Sequence, residues 1–597
     1  MTQAANPNRA DTDAHGAAVG ESRPVPFATR PVLQGTLGMV AAGHYLAAAI
    51  GLQQLERGGN AVDAGVAAGF ALSLLKPQSV GIGGEVPILI HLKDQARSLA
   101  VNGQGWAPRA ATIDWFRSRR ISLIPSDGFL PATVPGQFGA WCTALREFGT
   151  ARLADVLGPA VDLAEGGFPM YTALANQVHK MRERFSTEWP TSAAIYLSDG
   201  TVPPDGTLMR NPDWARTLKG AIDASLTAPD RETGIQAAME YFYAGPVAEQ
   251  AVEFCARNAF LDGSGEVHTG LLSREDFAEY GARGTRIEDP VRATYRGLEV
   301  LKCGPWSQGP VMLQLLKLLE GWDLRGLGHN SADYLHVWLE CAKLAFADRE
   351  TYYGDPDFVD VPLGRLLSAE YAAQRRRLVD MRTASLEHRP GSAADVKDRW
   401  PVVTADTTHV DVVDRWGNLF AATPSGGWIG SSPVVEGLGF PLGTRGQMFY
   451  LDEQHANALQ PGKRPRTTLT PSLALRDGQP WLAFGTPGGD QQEQWSLQFL
   501  LNVVDFGMDL QEALDAPTLH TTHFPGSFYP HAASPGGVRA EARIPSAVLD
   551  DLAARGHSIR MDGEWSHGQV TAVAYDASGV LSGAASPRGR VAYVMGR

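Results

Sequence analysis

The chain has 597 residues, of which 44% are hydrophobic and 20% charged, with 52 Lys+Arg against 65 Asp+Glu and a formal net charge of −13. That composition excludes wholesale disorder and supplies enough apolar surface for a large core. An acidic chain is also a poor binder of nucleic acid or anionic membrane through bulk electrostatics.

Residues 1 to about 30 are polar and lack apolar period, so they read as a flexible arm. They contain no basic region followed by an apolar run, and no long apolar span follows anywhere. The expected compartment is therefore the cytoplasm, without a membrane anchor. From His44 to Leu75 the pattern is helix, Gly58-Gly59 break, helix, with Asn60 as the second helix's N-cap. A glycine loop, 77–84, leads into a core strand over Val86–His91. Residues 145–290 read as mostly helical. A long helix starts at Asn330 or Ser331 and stops at Gly354-Asp355-Pro356. Residues 383–405 are polar and aperiodic, a long connection.

Strands dominate after that connection: Thr407–Val413, Leu419–Thr423, Leu469–Leu475, Trp481–Gly485, Gln569–Tyr575 and Val591–Met595. Helices early and strands late predict sheets covered by helices. Cys142, Cys255, Cys303 and Cys341 are far apart and read as buried free thiols. His520 and His523 lack further ligands nearby, so no metal and no cofactor is expected.

Two features carry chemistry. Asp406-Thr407-Thr408-His409 joins the polar connection to a strand. The Thr407 hydroxyl there can attack the Asp406 carbonyl, and hydrolysis of the resulting ester frees Thr407 as a new N-terminus. Its α-amine, with an ordinary pKa of about 8, can then act as base for its own hydroxyl. The second feature is Gly485-Thr486-Pro487-Gly488-Gly489-Asp490, where a strand ends and a helix begins. Adjacent glycines let two backbone N–H groups converge on an oxyanion. Asp490 with Glu493 reads as a capping box.

With these placed, the chain resembles the γ-glutamyltransferase family of N-terminal-nucleophile hydrolases from about residue 37 onward. The motifs are GGNAVDAGVAAGFAL (58–72), PQSVGIGG (77–84), VPGQFGAW (134–141), YRG (295–297), GPWSQGP (304–310), FADRETYYGDPDFV (346–359), DTTHVDVVDRWGN (406–418), PGKRPRTTLTPSL (461–473), GTPGG (485–489) and SPRG (586–589). The resemblance implies an α+β fold, a four-layer αββα sandwich. It implies self-cleavage between Asp406 and Thr407 into residues 31–406, behind the 1–30 arm, and 407–597. The two pieces would stay together as a heterodimer, with further dimerisation open.

It further implies Thr407 as nucleophile, Gly488 and Gly489 as oxyanion donors, and Ser425 as the hydroxyl beside the nucleophile. Thr467 and Thr468 stand where the family binds a substrate carboxylate. Three departures alter the pocket. Gln104 replaces the family's glutamyl-binding arginine, Tyr450 after Gln447-Met448 replaces an acid, and an asparagine near Gly427 is missing. The reaction class then survives without the glutamyl pocket, as in the signal-less branch of the family. The expectation is a threonine hydrolase or acyltransferase acting on a small, non-glutamyl, carboxylate-bearing acyl amide. Alternatives are a γ-glutamyl or glutathione hydrolase, hydrolysis of a C–C bond beside a carbonyl, and a non-catalytic homologue. Gln447, Tyr450, Trp306 and Trp106 are expected around the substrate, and Arg445 or Arg466 as a replacement charge.

Overall fold

Residue alternation fixes the layering. The computed structural model describes residues 28–391 and 407–597. Asp406, most of the N-terminal arm and residues 392–405 of the connection lie outside the described residues. In the strand Gly38–Ala42, Val40 and Ala42 join one apolar cluster while Met39 and Ala41 join another. The strand Val410–Asp414 repeats the pattern, with Val410 and Val412 on one face and Val413 on the other. Period-two alternation with both faces apolar requires a sheet covered on both sides.

Two seven-stranded antiparallel sheets satisfy that requirement. The first runs, edge to edge, Tyr593–Gly596, Gly38–Ala42, Val410–Asp414, Leu419–Ala422, Val86–Leu92, Arg97–Gly103 and Arg286–Glu288. The second runs Leu33–Gly35, Leu581–Ala585, Thr571–Tyr575, Gln479–Gly485, Ser472–Arg476, Leu298–Lys302 and Val291–Tyr295. Their inner faces share a core that includes Leu89, Val413, Leu473 and Val573. The first sheet's outer face packs on the helices Ala61–Leu75 and Gln137–Phe148. The second's packs on Pro310–Leu319, Ala332–Tyr352 and Gln492–Val504. The result is a four-layer αββα sandwich. Residues before and after the connection contribute strands to both sheets.

The expected element starts hold where local chemistry fixes them. Asn60 caps Ala61–Leu75, reciprocally with Asp63, and Ser331 caps Ala332–Tyr352. All of Ala61–Leu75 is buried, since its glycines permit close approach. A Cβ on Gly69 would come within 2.4 Å of the Trp141 ring, and one on Gly65 within 2.3 Å of Phe420. The four cysteines are free and buried.

The expected capping box at Asp490 and Glu493 is wrong. The helix starts at Gln492 after a short 3-10 turn, Gly489–Gln491, with no side-chain cap. Asp490 instead pairs with Arg349, and Glu493 with Lys302 at 3.0 Å. Tertiary charge partners outcompeted the local cap. The strands expected at Thr407 and Leu469 begin later, at Val410 and Ser472. The residues ahead of each strand make tertiary contacts at the site described next.

Candidate active site

Thr407 stands ahead of the strand Val410–Asp414, at the edge of the described chain, and forms a backbone bridge with Ser425. The two hydroxyls are 3.2 Å apart and both residues are buried. Ser425 is positioned in turn by Glu85. The two exchange backbone hydrogen bonds, Glu85 N to Ser425 O at 2.9 Å and Ser425 N to Glu85 O at 3.0 Å. The glycine loop ahead of Glu85 makes this approach possible. A Cβ on Gly84 would sit 2.1 Å from the Ser425 carbonyl oxygen, and one on Gly81 2.2 Å from that of Gly427. Backbone approach on this scale tolerates only glycine.

The second sheet delivers the Gly488–Gly489 turn to the same end of the sandwich. The strand Gln479–Gly485 ends against His409, two residues after Thr407. A Cβ on Gly485 would lie 2.3 Å from the His409 ring. Between the sheets, His409 Nε2 contacts Asp411 Oδ1 at 2.8 Å, and Asp411 Oδ2 accepts from the Thr571 hydroxyl at 2.8 Å. Burial raises the Asp411 carboxyl above its usual range, against the pull of His409. Gly488 has φ +132° and Gly489 φ +56°, conformations that favour glycine. A Cβ on Gly488 would also strike Trp495 at 2.3 Å.

A buried network clamps this turn. Gln308 Nε2 donates to the carbonyl oxygens of Gly489 and Thr468, each at 3.0 Å. Gln308 Oε1 accepts from Arg349 Nη1 at 2.8 Å. Arg349 pairs with Asp490, which also accepts from Ser527 N at 2.9 Å and Ser527 Oγ at 2.6 Å. Arg349 further pairs with Glu350, which Arg466 Nη2 contacts at 2.8 Å. Burial alone would raise the Glu350 carboxyl, but Arg466 and Arg349 outweigh it and hold it below its ordinary value. Gln308, Arg349 and Glu85 lie inside or beside quoted motifs, but their roles require the fold.

The other expected site residues divide. Gln104 follows the strand Arg97–Gly103, which pairs Gly103 with Val86. It thus emerges beside Glu85, fully buried, with neither amide atom hydrogen-bonded. The Thr468 hydroxyl is also buried without a partner, whereas Thr467 Oγ1 accepts from Leu469 N at 3.2 Å. Gln447 is committed elsewhere: its Nε2 donates to Ser126 O at 2.8 Å and its Oε1 accepts from Tyr529 N at 3.3 Å. The Tyr450 hydroxyl donates to Glu350 at 3.1 Å, and its ring stacks between His455 and His531. Trp306 belongs to the core between the sheets, its Nε1 donating to Glu288 at 2.8 Å. Trp106 packs edge-on against Tyr280. Arg466 is spent on Glu350 and the Arg349 carbonyl.

His520 and His523 face different partners. His520 meets Trp495 and His567, while His523 meets Glu387 O and Gly536 N. Another group, His336, Glu340 and His557, has ligand-type atoms within 4.8 Å of one another. Glu340 there is already paired with Lys343 at 2.6 Å and Arg389 at 3.1 Å. Protein cations thus supply the charge a metal ion would bring.

The four-layer αββα sandwich, with Thr407 ahead of a strand of one sheet and the Gly488–Gly489 turn after a strand of the other, is the fold of N-terminal-nucleophile hydrolases. Comparison with known proteins gives the family: the γ-glutamyltranspeptidase model matches residues 47–595, and the chain belongs to that family. The chain is 34% identical over 567 residues to the Acylase ACY 1 proenzyme of Pseudomonas sp. (strain SE83), covering 92% of each. Among solved structures, a single-substitution variant of LmbA2991 is 48% identical with a TM-score of 0.90, covering 96% of this chain and 100% of that one. Cephalosporin acylase from Bacillus halodurans is 31% identical with a TM-score of 0.82, covering 96% and 98%. The protein is an enzyme of the hydrolase and acyltransferase class.

Proposed function

We propose that the chain cleaves itself before Thr407 and then uses Thr407 to hydrolyse, or transfer, the acyl group of a small amide outside the γ-glutamyl class. The observation that carries this reading is the Thr407 hydroxyl held 3.2 Å from that of Ser425, at the sandwich end where the Gly488–Gly489 turn arrives. In the forward step the hydroxyl adds to the substrate carbonyl, its proton passing to the freed α-amine. The oxyanion is met by the Gly488 and Gly489 N–H groups. Collapse expels the amine with that proton and leaves a threonyl ester. Water, or an acceptor amine, then releases the acyl group through a second tetrahedral intermediate.

Two lines support a non-glutamyl acyl group. A glutamyl pocket binds a zwitterion, yet the sequence has Gln104 and Tyr450 where the family carries an arginine and an acid. Tyr450 is moreover committed to Glu350. Relatives named acylase and cephalosporin acylase point to acyl amides.

Intact-mass measurement tests the reading. The purified protein should run as two chains of 406 and 191 residues, counted from Asp406 and Thr407 in the 597-residue sequence. Incubation with glutaryl, oxalyl and γ-glutamyl anilides should place a transient adduct on the smaller chain. Thr407→Ala should remain one chain. An uncut wild type, or normal cutting of Thr407→Ala, would refute it, and a clear preference for the γ-glutamyl anilide would refute the specificity.

A further inference from the structure

Four arginines are fully buried among the described residues: Arg349, Arg445, Arg464 and Arg466. Three have both terminal nitrogens engaged. Arg349 uses Nη1 on Gln308 and Asp490 and Nη2 on Glu350 and Pro525 O. Arg464 uses Nη2 on Gly284 O at 2.7 Å and Nη1 on Asp355 at 3.5 Å. Arg466 uses Nη1 on Arg349 O at 3.0 Å and Nη2 on Glu350 at 2.8 Å. Arg445 differs. Its Nε pairs with Glu85, but Nη1 and Nη2 have no hydrogen-bond partner. A buried guanidinium with its whole terminal edge unmet is costly, and such an edge matches the two oxygens of a carboxylate.

The location gives the edge a purpose. Glu85, which holds Arg445, is the residue whose backbone pairs with Ser425 beside Thr407. The Arg445 guanidinium lies 5.1 Å from the Trp428 ring centre and 5.4 Å from that of Phe528. Phe528, with Gly488 and Gly489, lines a cavity of about 850 Å³. A Cβ on Gly489 would lie 3.1 Å from the Phe528 ring. Arg445 thus touches Glu85, whose backbone pairs with Ser425 beside Thr407, and the Phe528 ring that packs by Gly489, though it stands behind the cavity wall and not in it. Gln104 emerges beside Glu85 with its amide uncommitted.

We infer that the terminal edge of Arg445 binds a carboxylate on the acyl part of the substrate, a few bonds from the scissile carbonyl, with Glu85 as its positioning residue. The inference rests on Thr407 being the nucleophile. It makes the substrate a short dicarboxylic half-amide, and it explains how an arginine from the chain's C-terminal third replaces the charge missing at Gln104.

The test uses the self-cleaved enzyme. Calorimetric titration with oxalate, succinate and glutarate, against glutaramide at matched ionic strength, should show a dicarboxylate binding at least about tenfold tighter than the diamide. In kinetics, glutaryl-4-nitroanilide should exceed butyryl-4-nitroanilide by about a hundredfold in kcat/KM. Arg445→Gln should bring both ratios close to one, and Arg445→Lys should keep part of each. The inference is overturned if wild type shows no preference for the dicarboxylates, or if the preference survives Arg445→Gln. It is also overturned if the carboxylate helps only on the leaving group, as in butyryl-4-aminobenzoate. Should Arg445→Gln fail to self-cleave, the wild-type titration and the Lys variant decide. Failure of the wider reading looks different: no acyl adduct on the smaller chain with either anilide, charged or neutral.

Discussion

The helical layer over the Thr407 sheet is built from small and apolar side chains, whereas the layer over the opposite sheet buries charge. In Ala61–Leu75 the only polar side chains are Asp63, which serves the N-cap, and Ser73. In Ala332–Tyr352 the buried residues include Glu340, Lys343, Asp348, Arg349 and Glu350. The first layer brings a helix close to a sheet, and alanine and glycine suffice for that. The second reaches through its sheet's end to hold the Gly488–Gly489 turn, by way of Arg349, Asp490 and Gln308. Asp348 also accepts from Gly391 N at 2.8 Å, within the first part of the connection. Apolar packing has no direction, while ion pairs and hydrogen bonds do, so the layer that must position a turn carries the charge.

Substitutions can break this contrast. Arg349→Met removes the ion-pair partner of Asp490 and one of the two arginines on Glu350, and should lower unfolding free energy by about 3–5 kcal/mol, with a fall in kcat. Equal melting of variant and wild type in denaturant would mean that the network is dispensable. Glu350→Gln should cost about 2–3 kcal/mol at neutral pH. Because the folded-state carboxyl is held low, its stabilisation is complete above the unfolded value of about 4.3 and fades as pH falls through the folded value. Wild type should therefore lose stability more steeply in acid than the variant, as read by melting temperature against pH.

On the apolar side, Gly69→Ala should cost about 1–3 kcal/mol by overpacking against Trp141, leaving kcat intact in protein that folds. A fall in kcat at full stability would show that both layers position the site. The smallest effect is expected for Gln308→Leu, about 1 kcal/mol in activation free energy, seen in kcat with little change in KM.

The legible parts of the sequence were those with local causes. Asn60 and Ser331 announce helix starts because capping is decided within four residues. Thr407 and Gly488–Gly489 stand out in the sequence as candidates for chemistry because hydroxyl-bearing and glycine-rich junctions are distinctive. The capping box at Asp490 was misread because its real partner, Arg349, is 141 residues away. Trp306 and Gln447 have side chains suited to a pocket, and only the fold reveals that their polar atoms are spent on Glu288, Ser126 and Tyr529. Arg445 and Arg466 look equivalent in the sequence. Both are paired with a buried carboxylate, and they differ in that Arg466 engages both terminal nitrogens, on Glu350 and the Arg349 carbonyl, whereas Arg445 meets Glu85 through Nε alone.

The strand order carries a consequence for the gene. Thr36 N and Leu37 N donate to the Arg597 carbonyl oxygen at 3.0 and 2.6 Å, so the beginning and end of the folded body touch. A circularly permuted gene could open at Thr407, run to Arg597 and re-enter at Leu33 through a short linker. After removal of the initiator methionine, it would be born with the threonine amine already free. Such a permutant would turn a maturing enzyme into one that needs no maturation, and would separate the chemistry of cutting from the chemistry of turnover.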